Sequence, residues 1–168
     1  FHISNMQILE NLKNIIKFKL ENPEQVECLF GNHCIQYAFS PHYRCSGFRP
    51  EMLTDLKMLF ETNRNIFNIA YQHNNYLFTH AGVCQKWLEF ARHSLTKWGL
   101  NEDLSNIGET MNKLSRTNAN WELHLVGEIR GGLRYDVGGP TWADKSETEN
   151  DLISNFHQFV GHTPVPAI

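Results

Sequence analysis

The chain has 168 residues, 41% of them hydrophobic and 20% charged, with a formal net charge of −3. That length supports one domain with its own core, and the charge leaves no basic field for nucleic acid. No apolar run approaches the roughly 20 residues needed to cross a bilayer. Neither nucleic acid nor membrane is therefore expected as a partner. Cys28, Cys34, Cys45 and Cys84 show no Cys-x-x-Cys spacing. With no signal peptide visible, they predict reduced thiols in a cytoplasmic protein.

Ser4 and Gln7 have capping-box spacing, and Ile8, Leu9, Leu12, Ile15, Ile16 and Leu20 follow at helical intervals until Pro23. Val26 to Phe30 reads as a strand running into the turn Gly31-Asn32-His33. Residues 40–50, rich in Pro, Gly and Ser, predict a loop, and Pro50 suits the first position of a helix carrying Met52, Leu53, Leu56, Leu59 and Phe60. Strands are expected at Ile66–Tyr71 and Tyr76–Thr79, joined by a hairpin at His73-Asn74-Asn75, since Asn tolerates left-handed backbone angles. Trp87, Leu88, Ala91, Leu95 and Trp98 predict a helix stopped by Gly99. A weaker helix is expected from Leu104 to Leu114, an irregular loop over Gly127–Gly139, and a last helix over Glu147–Phe156. A final strand then leads to His162. Helices alternating with strands predict an α/β domain with a mixed sheet, one domain over residues 1–168.

Three segments stand out: Gly31-Asn32-His33, Thr79-His80-Ala81-Gly82 and Gly161-His162-Thr163-Pro164. Each places a metal-capable side chain just past an apolar, strand-like run. Side chains at the carboxyl ends of neighbouring strands converge in the crevice where open α/β sheets bind ligands. Singly each segment is weak. Their order, their spacing and their shared position after strands join them.

In that order and spacing the segments resemble the calcineurin-like metallophosphoesterases, most closely the bacterial and phage serine/threonine protein phosphatase-like branch. The resemblance covers residues 31 to 164. It implies a metallophosphoesterase-type α/β sandwich and an enzyme that hydrolyses phosphomonoesters with a metal-bridged hydroxide. The substrate would be a phosphorylated protein or a small phosphoester. It further implies that Asn32, His80 and His162 are ligands of one metal and that His33 protonates the leaving oxygen. Neutral imidazole and amide oxygen are fitting donors to Mn, Fe or Zn. In extended backbone the adjacent Asn32 and His33 would point to opposite sides, one to the metal and one to the ester. An imidazole, with an ordinary pKa of about 6.5, suits a general acid near neutral pH.

Arg130, in Ile129-Arg130-Gly131-Gly132 before Gly139-Pro140-Thr141-Trp142, is the first candidate for holding phosphate. Its planar fork binds phosphate bidentately. Arg44 and Arg49 are further candidates. The family's Gly-Asp-x-His and Gly-Asp-x-x-Asp motifs are absent, because no aspartate here follows a glycine. The chain is therefore expected to be the C-terminal portion of a metallophosphoesterase domain, inactive by itself. It would bind at most one ion weakly, where a full-length parent would hold two. The rival readings are a dinucleoside polyphosphate hydrolase of the same superfamily and a non-catalytic truncated domain. His2, His73, His93 and His157 are expected at the surface. Trp121 and Trp142 are expected to be core or loop-anchoring aromatics.

Overall fold

The computed structural model describes residues 3–100, 104–117 and 120–165. It is a mixed helix and strand structure that divides into two compact units, Phe1–Asn68 and Ile69–Ile168.

The first unit opens with α1 (Asn5–Glu21), started by the expected capping box: Gln7 N donates to Ser4 Oγ and Ser4 N donates to Gln7 Oε1. The apolar stripe of α1 is less covered than its spacing predicts. Ile16 is buried, whereas Ile15 and Leu20 are exposed. The core lies instead under β1 (Cys28–Leu29), shorter than the predicted strand. β1 pairs in parallel with β2 (Phe67–Asn68), Cys28 opposite Phe67 and Leu29 opposite Asn68. Phe30 stacks on Phe67 with ring centroids 5.2 Å apart and meets Phe39 and Phe60. Such pairs stabilise by about 0.5–1.5 kcal/mol beyond their buried area. Next comes α2 (Asn32–Ala38), then a turn of 3₁₀ helix at Pro50–Met52, then α3 (Leu53–Thr62). Pro50 occupies the helix start that its fixed φ and missing N–H favour.

The strand expected over 66–71 is broken. Phe67 and Asn68 pair with β1, while β3 (Ala70–His73) joins a different sheet. Between them the backbone is claimed by a side chain. Asn112, on α5 (Ile107–Ser115), accepts from Ile69 N at 2.9 Å and Ala70 N at 3.1 Å, and donates to Ala70 O at 2.9 Å. β3 pairs antiparallel with β4 (Tyr76–Thr79) around the predicted hairpin, with Asn74 at φ 53. β4 pairs in parallel with β5 (His157–Phe159). The sheet of the second unit is therefore mixed, as expected.

α4 (Gln85–Lys97) ends before Gly99, which takes φ 66. Its N-cap is Cys84, whose sulfur accepts from Trp87 N and whose burial pushes the thiol up to about 11. All four cysteines are free thiols. The last helix, α6, spans Lys145–Asn150 rather than 147–156. Asp144 caps it by accepting from Ser146 N. Beyond Asn150 the chain pairs with the start of α4: Gln85 N donates to Asp151 O, Lys86 N donates to Asp151 Oδ2, and Leu152 bridges Cys84. That pairing takes the backbone groups a longer helix would need. His73, His93 and His157 are exposed as expected, and His2 lies outside the described residues.

Asn112→Ala removes the partner of three buried backbone groups, Ile69 N, Ala70 N and Ala70 O. It is expected to lower stability by roughly 2–4 kcal/mol, read by urea unfolding at pH 7. His124 gives a second expectation. It is 3% exposed, and burial pushes its pKa down to about 3. Thr141 Oγ1 donates its hydroxyl proton to Leu123 O, so its 3.1 Å contact with His124 Nδ1 takes a proton from a neutral imidazole. The folded state resists protonation that the unfolded chain accepts. This contribution is whole above the unfolded pKa of about 6.5 and is lost as pH falls towards 3, by about 1.4 kcal/mol per unit. Urea midpoints between pH 7 and 4 should fall more steeply for the native chain than for His124→Gln.

Candidate functional site

The candidates divide between the units: Asn32, His33, Arg44 and Arg49 in the first, His80, Arg130 and His162 in the second.

In the first unit the structure corrects one local expectation. Asn32 and His33 are not in extended backbone. They open α2, with Gly31 as N-cap. Their side chains still diverge, because successive helical residues are rotated by about 100°: Asn32 is 4% exposed, whereas His33 is open to solvent. A cysteine that the sequence reading passed over lies against this imidazole. Cys45 Sγ is 3.6 Å from His33 Nδ1 and 3.7 Å from Asn32 O. Burial raises the Cys45 pKa, which keeps it a thiol. Gln36 holds the two segments together, donating to His33 O and accepting from Cys45 N. Arg44 lies over the Phe48 ring, 4.7 Å from its centroid. Arg49 Nη1 donates to Ile3 O and Asn5 Oδ1.

In the second unit β4 and β5 run side by side, with Phe78 opposite Phe159. His80 and His162 leave the same end of the two strands, and Gly161 N donates to His80 O, extending the pairing past the sheet. His80 Nε2 and His162 Nδ1 are 3.0 Å apart. The turn after His80 is tight. Gly82 adopts φ 103, and a Cβ there would lie 2.6 Å from Thr148 Cγ2, so no larger residue fits without strain. Ala81 N donates to Pro140 O, which ties this turn to the Gly-Pro-x-Trp segment. Trp142 stands edge-on to the His162 ring with centroids 5.7 Å apart, the loop-anchoring role expected of it.

Arg130 reaches the same neighbourhood. Its Nη2 is 2.9 Å from Asp144 Oδ2 and also donates to Thr163 Oγ1, beside His162. Thr163 Oγ1 accepts from Lys145 N as well, which fastens the His162 segment to the start of α6. The Asp144 carboxyl lies below its usual range. Hydrogen bonding from Ser146 N is the largest cause, and Arg130 and His162 add to it. Asp144 and Thr163 are the residues that sequence reading missed. Asp144 was legible as an N-cap before α6, and Thr163 as the polar neighbour of His162; their contacts with Arg130 were not.

The pair of imidazoles stands at hydrogen-bond distance, one ring nitrogen donating to the other. Two nitrogens bound about 2.0–2.1 Å from one metal lie about 3 Å apart in adjacent positions, matching the His80–His162 separation. Among the described residues, no group of three or more His, Cys, Asp or Glu side chains converges as an ion site. Likewise, no helix among them is long and apolar enough to cross a membrane. No protein-family model, curated protein or solved structure matches the chain.

The contacts of Arg130 generate an expectation about structure. Arg130→Gln should loosen residues 161–163, read as faster amide hydrogen exchange at Gly161 and His162 and little change in β3.

Proposed function

We propose that the chain carries the site of a metal-dependent phosphoester hydrolase of the calcineurin-like type, acting on phosphomonoesters. Its sheets would then belong to the α/β sandwich of that family. The observation that carries this reading is the His80–His162 pair, with nitrogens 3.0 Å apart at the ends of adjacent parallel strands. A divalent ion bound there, of the Mn, Fe or Zn class, would draw charge from the phosphoryl oxygens and acidify a water.

His80 and His162 supply two neutral lone-pair donors. Asp144, held by Arg130 and Ser146, supplies negative charge nearby without joining the pair as a ligand. Arg130 braces the His162 segment through Thr163 and offers a cation to a phosphoryl oxygen. Asn32 and His33 enter this reading through the sequence resemblance. By that resemblance Asn32 is a metal ligand through its side-chain oxygen, and His33 gives its proton to the leaving oxygen. The exposed position of His33 on α2 supports that role, because a proton donor must be reachable by the ester.

Titration with Mn²⁺ or Zn²⁺ followed by calorimetry should give at most one weak site per chain, lost in His80→Ala and in His162→Ala. Two tight sites, or full affinity in both variants, would contradict the reading. In Mn²⁺-dependent turnover by a full-length parent, His33→Ala should lower kcat by about 10²–10⁴-fold on a phosphoserine peptide. The loss on p-nitrophenyl phosphate should be much smaller, since that phenolate leaves without a proton. Equal losses on both substrates would remove His33 from the role of leaving-group acid.

A further inference from the structure

The first unit contains a cavity of about 600 Å³, bounded by α1 on one side and by residues of α2 and α3 on the other. This is within the range of small-molecule sites, about 300–1,000 Å³. Its walls include Ile8 and Leu12 of α1, with Met52, Leu56 and Phe60 opposite. The last three are 2%, 3% and 4% exposed, so they form a fixed apolar floor. His33 and Arg49 also line it. Among the described residues no carboxylate lines it, and Arg49 is the one fixed charge among those that do. Glu51, whose carboxylate accepts from Asn5 Nδ2, is not part of the wall. Arg49 Nη1 donates to both Ile3 O and Asn5 Oδ1, which uses two of its N–H groups. Nη2 and Nε therefore remain for an anion, since a guanidinium carries five N–H groups.

We propose that this cavity seats the leaving group of the substrate, and that the substrate is a monophosphate ester of an apolar alcohol or phenol. The inference rests on the reading of His33 as the residue at the leaving oxygen. The apolar body lies against Leu12, Met52, Leu56 and Phe60, where it loses water without stranding a polar group. The ester oxygen sits at His33, and the phosphoryl charge faces Arg49. The uncovered apolar stripe of α1 has the same explanation: Ile8 and Leu12 face a ligand volume.

The test is binding to the chain itself, with 1-naphthyl phosphate, 1-naphthol and inorganic phosphate as probes. Methyl ¹H–¹³C spectra follow the four methionines. Met52 lines the cavity, Met6 and Met58 are exposed, and Met111 belongs to the second unit. 1-Naphthyl phosphate should shift the Met52 methyl saturably and leave Met111 in place. It should bind roughly tenfold or more tightly than 1-naphthol, because the phosphate adds a charged hydrogen bond. Arg49→Gln should bring its affinity down to that of 1-naphthol. Leu12→Trp, which fills the cavity from α1, should abolish the Met52 shift for both aromatic probes while the Met58 methyl, on α3 of the same unit, keeps its position as a check of folding. An unmoved Met52 at saturating ester would overturn the proposal, as would unchanged affinity in Leu12→Trp. Arg49→Gln binding the ester as tightly as the native chain would do the same. Turnover by a full-length parent separates this proposal from the broader reading. Binding at Met52 without Mn²⁺-dependent hydrolysis supports the cavity and counts against the hydrolase; hydrolysis with Met52 unmoved sinks the cavity and leaves the hydrolase standing.

Discussion

The parallel register between β4 and β5 is the constraint on which the second unit depends. Three residue pairs, Tyr76 with His157, Leu77 with Gln158 and Phe78 with Phe159, set where each strand ends. With that register His80 and His162 emerge at one edge, and Gly161 N reaches His80 O to hold them there. Side chains alternate faces along a strand, so a slip of one residue by either strand would send its imidazole to the opposite side from the other. The stacked Phe78 and Phe159 rings, 4.7 Å apart and nearly parallel, favour this register.

Short strands leave many backbone groups to satisfy, and polar side chains supply the missing partners. Asn112 does so for Ile69 and Ala70, where one strand has become two. Gln158 does so for Val83, accepting from its N–H and donating to its carbonyl, which steadies the turn after His80. Glu147 accepts from Gly138 N in the glycine-rich loop, and its burial raises its pKa. Each such bond adds little net stability, about 0.5–1.5 kcal/mol, but leaving its backbone partner buried and unpaired costs more. The loops that carry Arg130, Trp142 and His162 are therefore held by polar bonds as well as by apolar packing.

The first unit organises its candidates around a helix start. Gly31 caps α2, and the turn of that helix separates a buried Asn32 from an exposed His33. Cys45 and Gln36 then hold the following loop against the imidazole. Arg49 is placed by another route, through Tyr37 Oη, which accepts from Arg49 N, and through the start of α1. The cavity that His33 and Arg49 share follows from an α1 that packs lightly along its apolar stripe.

Local chemistry was enough to read the helix starts and stops. The Ser4 capping box, Pro50 and Gly99 act within one turn of the chain, so spacing alone identified them. The hairpin at Asn74 and the strand before His80 were legible for the same reason. The break at Ile69 and the early end of α6 were not, because the groups that decide them, Asn112 and the start of α4, are far away in sequence. The resemblance marked His80 and His162 separately. Their 3.0 Å approach, 82 residues apart in sequence, is decided by strand pairing. The same holds for Arg130: its charge is written in the chain, but its contacts with Asp144 and Thr163 arise where three loops meet. Periodicity and turn chemistry are properties of neighbouring residues, whereas a site is a property of segments brought together by burial and pairing.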